Sequence, residues 1–170
     1  MLKIILVQYT HYNLWANNSL LDLINSNFDE TGLDREIISS FPSIRKTVYH
    51  IWDAEFIWLR RLKGESLDAW PNKNFNGTFK DATQRLLSTG EEFIRHIENL
   101  TEENIVKPFS YKNVEGRSFT NPVWESVHHC MNHSTFHRGQ LVTMFRQSRI
   151  KNIPSTDFIT YCRNVGIPSQ

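Results

Sequence analysis

Apolar residues recur at three- and four-residue spacings over four long stretches of the chain, and this period predicts helices rather than strands. From residue 8 to about 27, Tyr12, Trp15, Leu20, Leu23 and Ile24 fall along one helical side, and residues 29–42 then carry the turn-formers of a connection. Ser43 is placed to cap a second helix whose apolar positions include Ile44, Val48, Ile51, Trp52, Ile57, Trp58 and Leu59, ending before Gly64. Trp70-Pro71 and Asn76-Gly77 interrupt the pattern and predict a long loop. A third helix follows from about 78 to 100, with Phe79, Leu86, Leu87, Phe93 and Ile97 inward. Aromatic-bearing runs on both sides of Val114-Glu115-Gly116-Arg117 suggest a short hairpin or irregular excursion between 108 and 120. Asn121 and Pro122 read as cap and first residue of a fourth helix running to about Ser148. Arg146 and Arg149 sit near its electronegative end. A short helix is expected around 157–164.

Four long amphipathic helices in 170 residues predict an all-α four-helix bundle forming one domain over 1–170, with the excursion before the last long helix and a short C-terminal extension. Such bundles place side chains from facing helices around a common interior site. Composition narrows the function by exclusion. The 19 basic and 18 acidic residues are well mixed, giving a net charge of +1, so the concentrated basic surface that nucleic-acid binding needs is missing. The apolar run Ile4-Ile5-Leu6-Val7 passes directly into Gln8, which supports neither a membrane span nor a secretion signal. Cys130 and Cys162 have no metal-knuckle or redox spacing and read as reduced thiols, in keeping with a cytoplasmic setting.

The chemistry concentrates in His129-Cys130-Met131-Asn132-His133-Ser134-Thr135-Phe136-His137-Arg138-Gly139-Gln140. Four residues turn a helix through roughly 400°, so His129, His133 and His137 project from nearly one face, with successive β-carbons about 6 Å apart. Imidazoles one turn apart can share a divalent ion, but two ligands do not close a site. His50 is the best third ligand. It lies midway along the second predicted helix, on a stretch suited to the interior, whereas His11 sits near a helix start and His96 among charged neighbours. Asp53, three residues after His50, either accepts a hydrogen bond from the site's outer edge or faces outward.

Val48-Tyr49-His50-Ile51-Trp52-Asp53-Ala54-Glu55 together with Asn132-His133-Ser134-Thr135-Phe136-His137-Arg138-Gly139-Gln140 resembles the two-part metal signature of the DinB/YfiT-like family. Tyr12-Asn13-Leu14-Trp15-Ala16-Asn17 is similar to that family's first-helix pattern, and the likeness spans residues 8–148. The family shares only a name with a DNA polymerase, and no polymerase signal is present. The resemblance implies a bundle, commonly homodimeric, with a divalent metal on the positions of His50, His133 and His137. His129, one turn further along, then becomes a pocket or outer group, and Gln140 a residue that orients water or substrate.

Three protein ligands leave a coordination position for water or substrate. Zinc or nickel is the leading ion, with iron and manganese also compatible with imidazole. Relatives of the resembled family use low-molecular-weight thiols, so the resemblance implies a small-molecule substrate and thiol transfer to an electrophile. A metal-dependent hydrolase and a non-catalytic metal-binding module stay open. Ser134 follows His133 where a zincin helix carries glutamate, which excludes that protease class. Glu55 and Glu125 are read as structural or surface carboxylates, Cys130 as buried packing, and Arg138 and Gly139 as packing residues. Arg138 is expected to pair with a carboxylate, and Gly139 to permit close helix approach. No catalytic residue is assigned.

Overall fold

The computed structural model describes residues 1–166. The elements in chain order are α1 (Leu2–Asn27), α2 (Glu30–Asp34), α3 (Ile44–Leu62), a 3-10 turn (Pro71–Asn74), α4 (Phe79–Asn99), α5 (Glu102–Val106), β1 (Pro108–Lys112), β2 (Ser118–Pro122), α6 (Val123–Gln147) and α7 (Phe158–Asn164). The fold is all-α apart from one antiparallel hairpin, in which Pro108 faces Pro122 and Lys112 faces Ser118. α1 and α3 each pack against both α4 and α6, which closes the four long helices into a bundle. Among the described residues no helix is long and apolar enough to cross a membrane.

Local chemistry sets the helix ends. Ser43 Oγ accepts from Lys46 N at 3.2 Å, as the sequence suggests, and Thr78 with Asp81 forms a reciprocal capping box. Two starts differ from expectation. α1 begins at Leu2 rather than near residue 8, because the apolar run at the start of the chain places Leu6 in the core. α6 begins at Val123, since Asn121 and Pro122 are held as the end of β2 opposite Phe109 and Pro108. Pro122 takes the cap position, and the Asn121 side chain donates to Glu125 instead of capping.

The apolar interior has two large clusters and a small third one of Tyr12, Ala16 and Tyr161. One large cluster gathers Leu20, Ile24, Ile44, Val48, Ile51, Trp52, Leu86, Leu141 and Phe145, and the other Leu6, Leu59, Phe93, Ile97, Val127, Cys130 and Met131. On α1, α3 and α6 the residues between those levels are polar and buried: Asn13, Asn17, Glu55, Ser134 and Arg138. This polar layer lies at the level of the histidines. Cys130 is buried, and burial pushes its thiol well above the ordinary value, which suits packing rather than chemistry.

Close helix approach occurs at Gly90 of α4, where an added β-carbon would stand 2.9 Å from Leu14 Cδ1 of α1. Gly139, expected to play that role, is exposed and an added β-carbon there would meet nothing within 4 Å. Gly139→Ala should therefore stabilise the fold by about 0.5–1 kcal/mol, by removing glycine's backbone entropy from a helix interior. A urea midpoint at or below that of the wild type would contradict this.

Candidate metal centre

α3 contributes His50 and α6 contributes His133 and His137, and the facing of these two helices brings the three rings together. His133 Nε2 lies 3.0 Å from His50 Nε2 and 3.1 Å from His137 Nε2. One nitrogen from each ring can be chosen so that all three lie within 4.8 Å of one another. Nitrogens bound tetrahedrally at 2.0–2.1 Å from one ion stand about 3.3 Å apart, so the His50–His133 and His133–His137 spacings fit a shared cation within a few tenths of an ångström.

Proton accounting points the same way. A neutral imidazole carries one N–H. His137 Nδ1 faces Gln140 Oε1 at 2.8 Å, which places its proton there and leaves Nε2 as a lone pair aimed at the cluster. Gln140 is itself fixed, its Nε2 donating to Ser40 Oγ at 2.7 Å. His133 Nδ1 is buried without a hydrogen-bond partner, so no outer acceptor fixes the tautomer of that ring as Gln140 does for His137. With the protons of His50 and His133 also on Nδ1, three Nε2 lone pairs converge as a donor set suited to a divalent ion.

The surroundings keep these rings neutral. Burial, then the neighbouring histidines, lowers His133 to about 3; burial, then His137, lowers His50 to about 4. His137 is also lowered by burial, partly offset by Gln140. In metal-free protein the unfolded chain takes up protons near pH 6.5 while folded His50 and His133 do so only near 4 and 3. The unfolded state then binds more protons across that window, so this contribution to stability falls as pH drops from about 6.5 toward 4. Asp53 acts in the opposite sense, because burial raises its carboxyl to about 6. A His50→Gln/His133→Gln variant should thus lose less stability than wild type between pH 7 and 5, measured by urea midpoints without metal. Equal losses would show that the two rings titrate freely.

The other residues singled out in the sequence fall into distinct places. Asp53 is buried but does not touch the histidines. It accepts from the Asn72 backbone N–H at 2.8 Å and from the Asn72 side chain, anchoring the 3-10 turn. The preceding residue, Trp70, brings its ring 6.3 Å from that of His50, so Asp53 bears on the site only through this turn. His129 lies with its ring 6.1 Å from His133 and 5.2 Å from Trp58, on the wall of a neighbouring cavity. His96 is half-buried on α4. Glu55 is fully buried and accepts from Asn13, Asn17 and Ser134, while Glu125 accepts from Asn121.

Sequence reasoning missed the loop side of the site. The Phe41 ring stacks on His50 at 4.2 Å and lies 5.5 Å from His137, and Ser40 holds Gln140. Both residues precede the Ser43 cap in an irregular connection, where no periodicity marks an inward side chain. The nearest signal was the position of Phe41-Pro42 immediately before the cap.

A helical bundle whose interior brings three histidines within reach of one ion defines an all-α protein with a site compatible with metal binding. The chain belongs to the DinB family, whose model matches residues 1–160. It is similar to Protein DinB of Bacillus subtilis (strain 168), 26% identical over 157 residues that make up 88% of this chain and 89% of that protein. Two solved structures share the fold. A DinB-like protein from Bacillus cereus ATCC 10987 has a TM-score of 0.67 at 17% identity, covering 88% of this chain and 94% of its own. A DinB-like protein from Bacillus subtilis has a TM-score of 0.65 at 17% identity, covering 88% of this chain and 97% of its own.

Proposed function

We propose that this protein is a metal-dependent enzyme in which His50, His133 and His137 hold zinc or nickel, or else iron or manganese, and a low-molecular-weight thiol is activated for transfer to an electrophile. The observation that carries the reading is the convergence of three imidazole nitrogens with Nε2 to Nε2 distances of 3.0 and 3.1 Å. The chemistry supplied by a cation held there is Lewis-acid stabilisation of a thiolate near neutral pH. Gln140 fixes the tautomer of His137, and Phe41 restricts His50 to one orientation by stacking. His50 and His133 are only half-buried, which leaves an approach for a small substrate.

The carboxylates favour this class over hydrolysis. A hydrolase needs a base to take a proton from water. Of the three candidate carboxylates along α3 and α6, Asp53 is engaged by Asn72 and Glu55 by the buried polar layer, while Glu125, held by Asn121 through one oxygen, lines the cavity beside His129 and not the three-histidine cluster. A thiol, with its lower intrinsic pKa, asks less of the protein. A cytoplasmic setting and a homodimer belong to the same reading, the latter to be tested by light scattering of the purified chain.

The test begins with elemental analysis of gently purified protein. Protein restored with that metal is then screened with cysteine and glutathione against chloro- and epoxide-type electrophiles. Turnover should vanish on chelation, return with the metal and survive Cys130→Ala. Metal-dependent cleavage of esters or amides without thiol transfer would replace this reading with the hydrolase. Stoichiometric metal without turnover in either panel would leave a binding module.

A further inference from the structure

Three aromatic side chains from three separate segments converge on the histidine cluster. Phe41, in the connection before α3, stacks its ring 4.2 Å from that of His50 and 5.5 Å from that of His137. Trp70, just before the 3-10 turn, brings its ring 6.3 Å from that of His50, and Phe136 of α6 stands edge-on to His137 at 5.0 Å. Neither of these last two belongs to the core: Trp70 is 41% exposed and Phe136 61%. An exposed aromatic residue standing alone is ordinary, but several gathered around one candidate centre mark apolar surface that something else covers. Asp53, buried, accepts from the Asn72 backbone N–H at 2.8 Å, so a carboxylate is committed to holding the turn that follows Trp70. Polar recognition is scarce there. Ser40 and Gln140 are bound to each other and Gln140 also to His137. Among the described residues, burial and the other histidines hold His50 and His133 neutral, with no acidic or basic side chain acting on them.

We propose that Phe41, Trp70 and Phe136 form the binding rim for the electrophile and select one that carries an aryl group next to the reacting carbon, such as a benzylic halide. Exposed rings placed this way offer an aryl group stacked and edge-on contacts, the arrangements that aromatic pairs prefer. Each of the three also lies against the ring of His50 or His137, so whatever covers them sits at the approach to the cluster. A second copy of the chain seated there would close that approach, which favours a small molecule as the occupant. In the reaction so served, the thiolate sulfur forms a bond to the benzylic carbon, chloride leaves with the electron pair of the C–Cl bond, and the thiol proton goes to solvent. The inference rests on the proposed function for this reaction, but the aryl preference of the rim is measured without turnover.

Benzyl alcohol and 1-propanol carry the same hydroxyl on different bodies and do not react, so their affinities for the zinc-restored full chain isolate the rim. Binding is followed by NMR at the Trp70 indole N–H, identified by its loss in W70F, and at the histidine ring protons where Trp70 is replaced. Benzyl alcohol should bind at least about tenfold more tightly, the factor that a few buried carbons confer. W70A and F136A should each lose about fivefold of that preference, and W70F should keep most of it. F119A, which removes an exposed ring on β2, should leave it unchanged. With glutathione as the thiol, KM for benzyl chloride should rise in W70A and F136A while KM for chloroacetamide stays the same. Should either alanine variant fail to fold, W70L and F136L replace it, with the two alcohols compared in wild type. Equal affinities for the alcohols, or a preference that survives both W70A and F136A intact, would overturn the proposal even where thiol turnover upholds the proposed function. A dimer lost in W70A or F136A, without an aryl preference in wild type, would make the rim an interface between copies and overturn it too. A rim-dependent aryl preference in a chain that takes up no metal would retain the rim and remove the metal reading.

Discussion

Replacing Glu55 by alanine should destabilise the fold by about 3–5 kcal/mol, the cost of leaving a buried charge without its partner. Glu55 is fully buried, and its Oε1 accepts from Asn13 Nδ2 at 2.7 Å, Asn17 Nδ2 at 2.9 Å and Ser134 Oγ at 2.8 Å. The same two asparagines accept from Arg138 Nη1 through their side-chain oxygens, and Arg138 Nη2 donates to Thr135 Oγ1 at 2.8 Å. The amides of Asn13 and Asn17 thus stand between anion and cation, donating to one and accepting from the other. Removing the carboxylate strips three donors of their acceptor and leaves Arg138, 2% exposed, facing only neutral oxygens. Glu55→Gln retains an acceptor oxygen and should cost less than Glu55→Ala. Ser134→Ala, which deletes one of three donors, should cost about 1 kcal/mol. Urea midpoints order the three variants. A loss under about 1 kcal/mol for Glu55→Ala would mean that water or rearrangement satisfies Arg138 and that the polar layer is not a structural unit.

That layer also shows where sequence reasoning stops. Arg138 was legible as a packing arginine and Glu55 as a structural carboxylate, but the direct pairing expected of Arg138 does not form: it donates to Asn13, Asn17 and Thr135, and meets Glu55 only through the two asparagines. Nothing in a period of 3.6 distinguishes an inward asparagine from an outward one, because the partner that makes burial tolerable lies on another helix. The long helices were legible because each repeats its apolar face many times. Their ends were less so at Leu2 and Val123, where burial of Leu6 and pairing of β1 with β2 override local cap signals. The five-residue helices α2 and α5 are too short to show a period. His133 and His137 were visible as an i,i+4 pair and His50 as an interior histidine on a facing helix. Phe41 and Trp70 come from irregular segments, and only the fold assigns them to the site.

His137→Ala should weaken zinc affinity by more than about 100-fold, whereas His96→Ala should leave it unchanged within about twofold. The floor comes from the lesser lesion: losing a partner that merely orients a metal-bound histidine typically costs 10- to 100-fold, and losing the ligand itself costs more. Without His137, only His50 and His133 remain with facing nitrogens 3.0 Å apart, and two neutral imidazoles in a half-buried setting do not replace the hydration shell of a divalent ion. Gln140→Ala falls between the two. It removes the acceptor 2.8 Å from His137 Nδ1 and frees the ring to rotate, so affinity should fall about 10- to 100-fold with stoichiometry unchanged. His96 serves as the control for histidine content, since it is half-buried on α4 and absent from the converging cluster. Competition against a chromophoric chelator gives the affinities, and circular dichroism establishes that each variant is folded. Equal losses in His137→Ala and His96→Ala, or undiminished affinity in His137→Ala, would remove His137 from the metal site and with it the three-histidine centre.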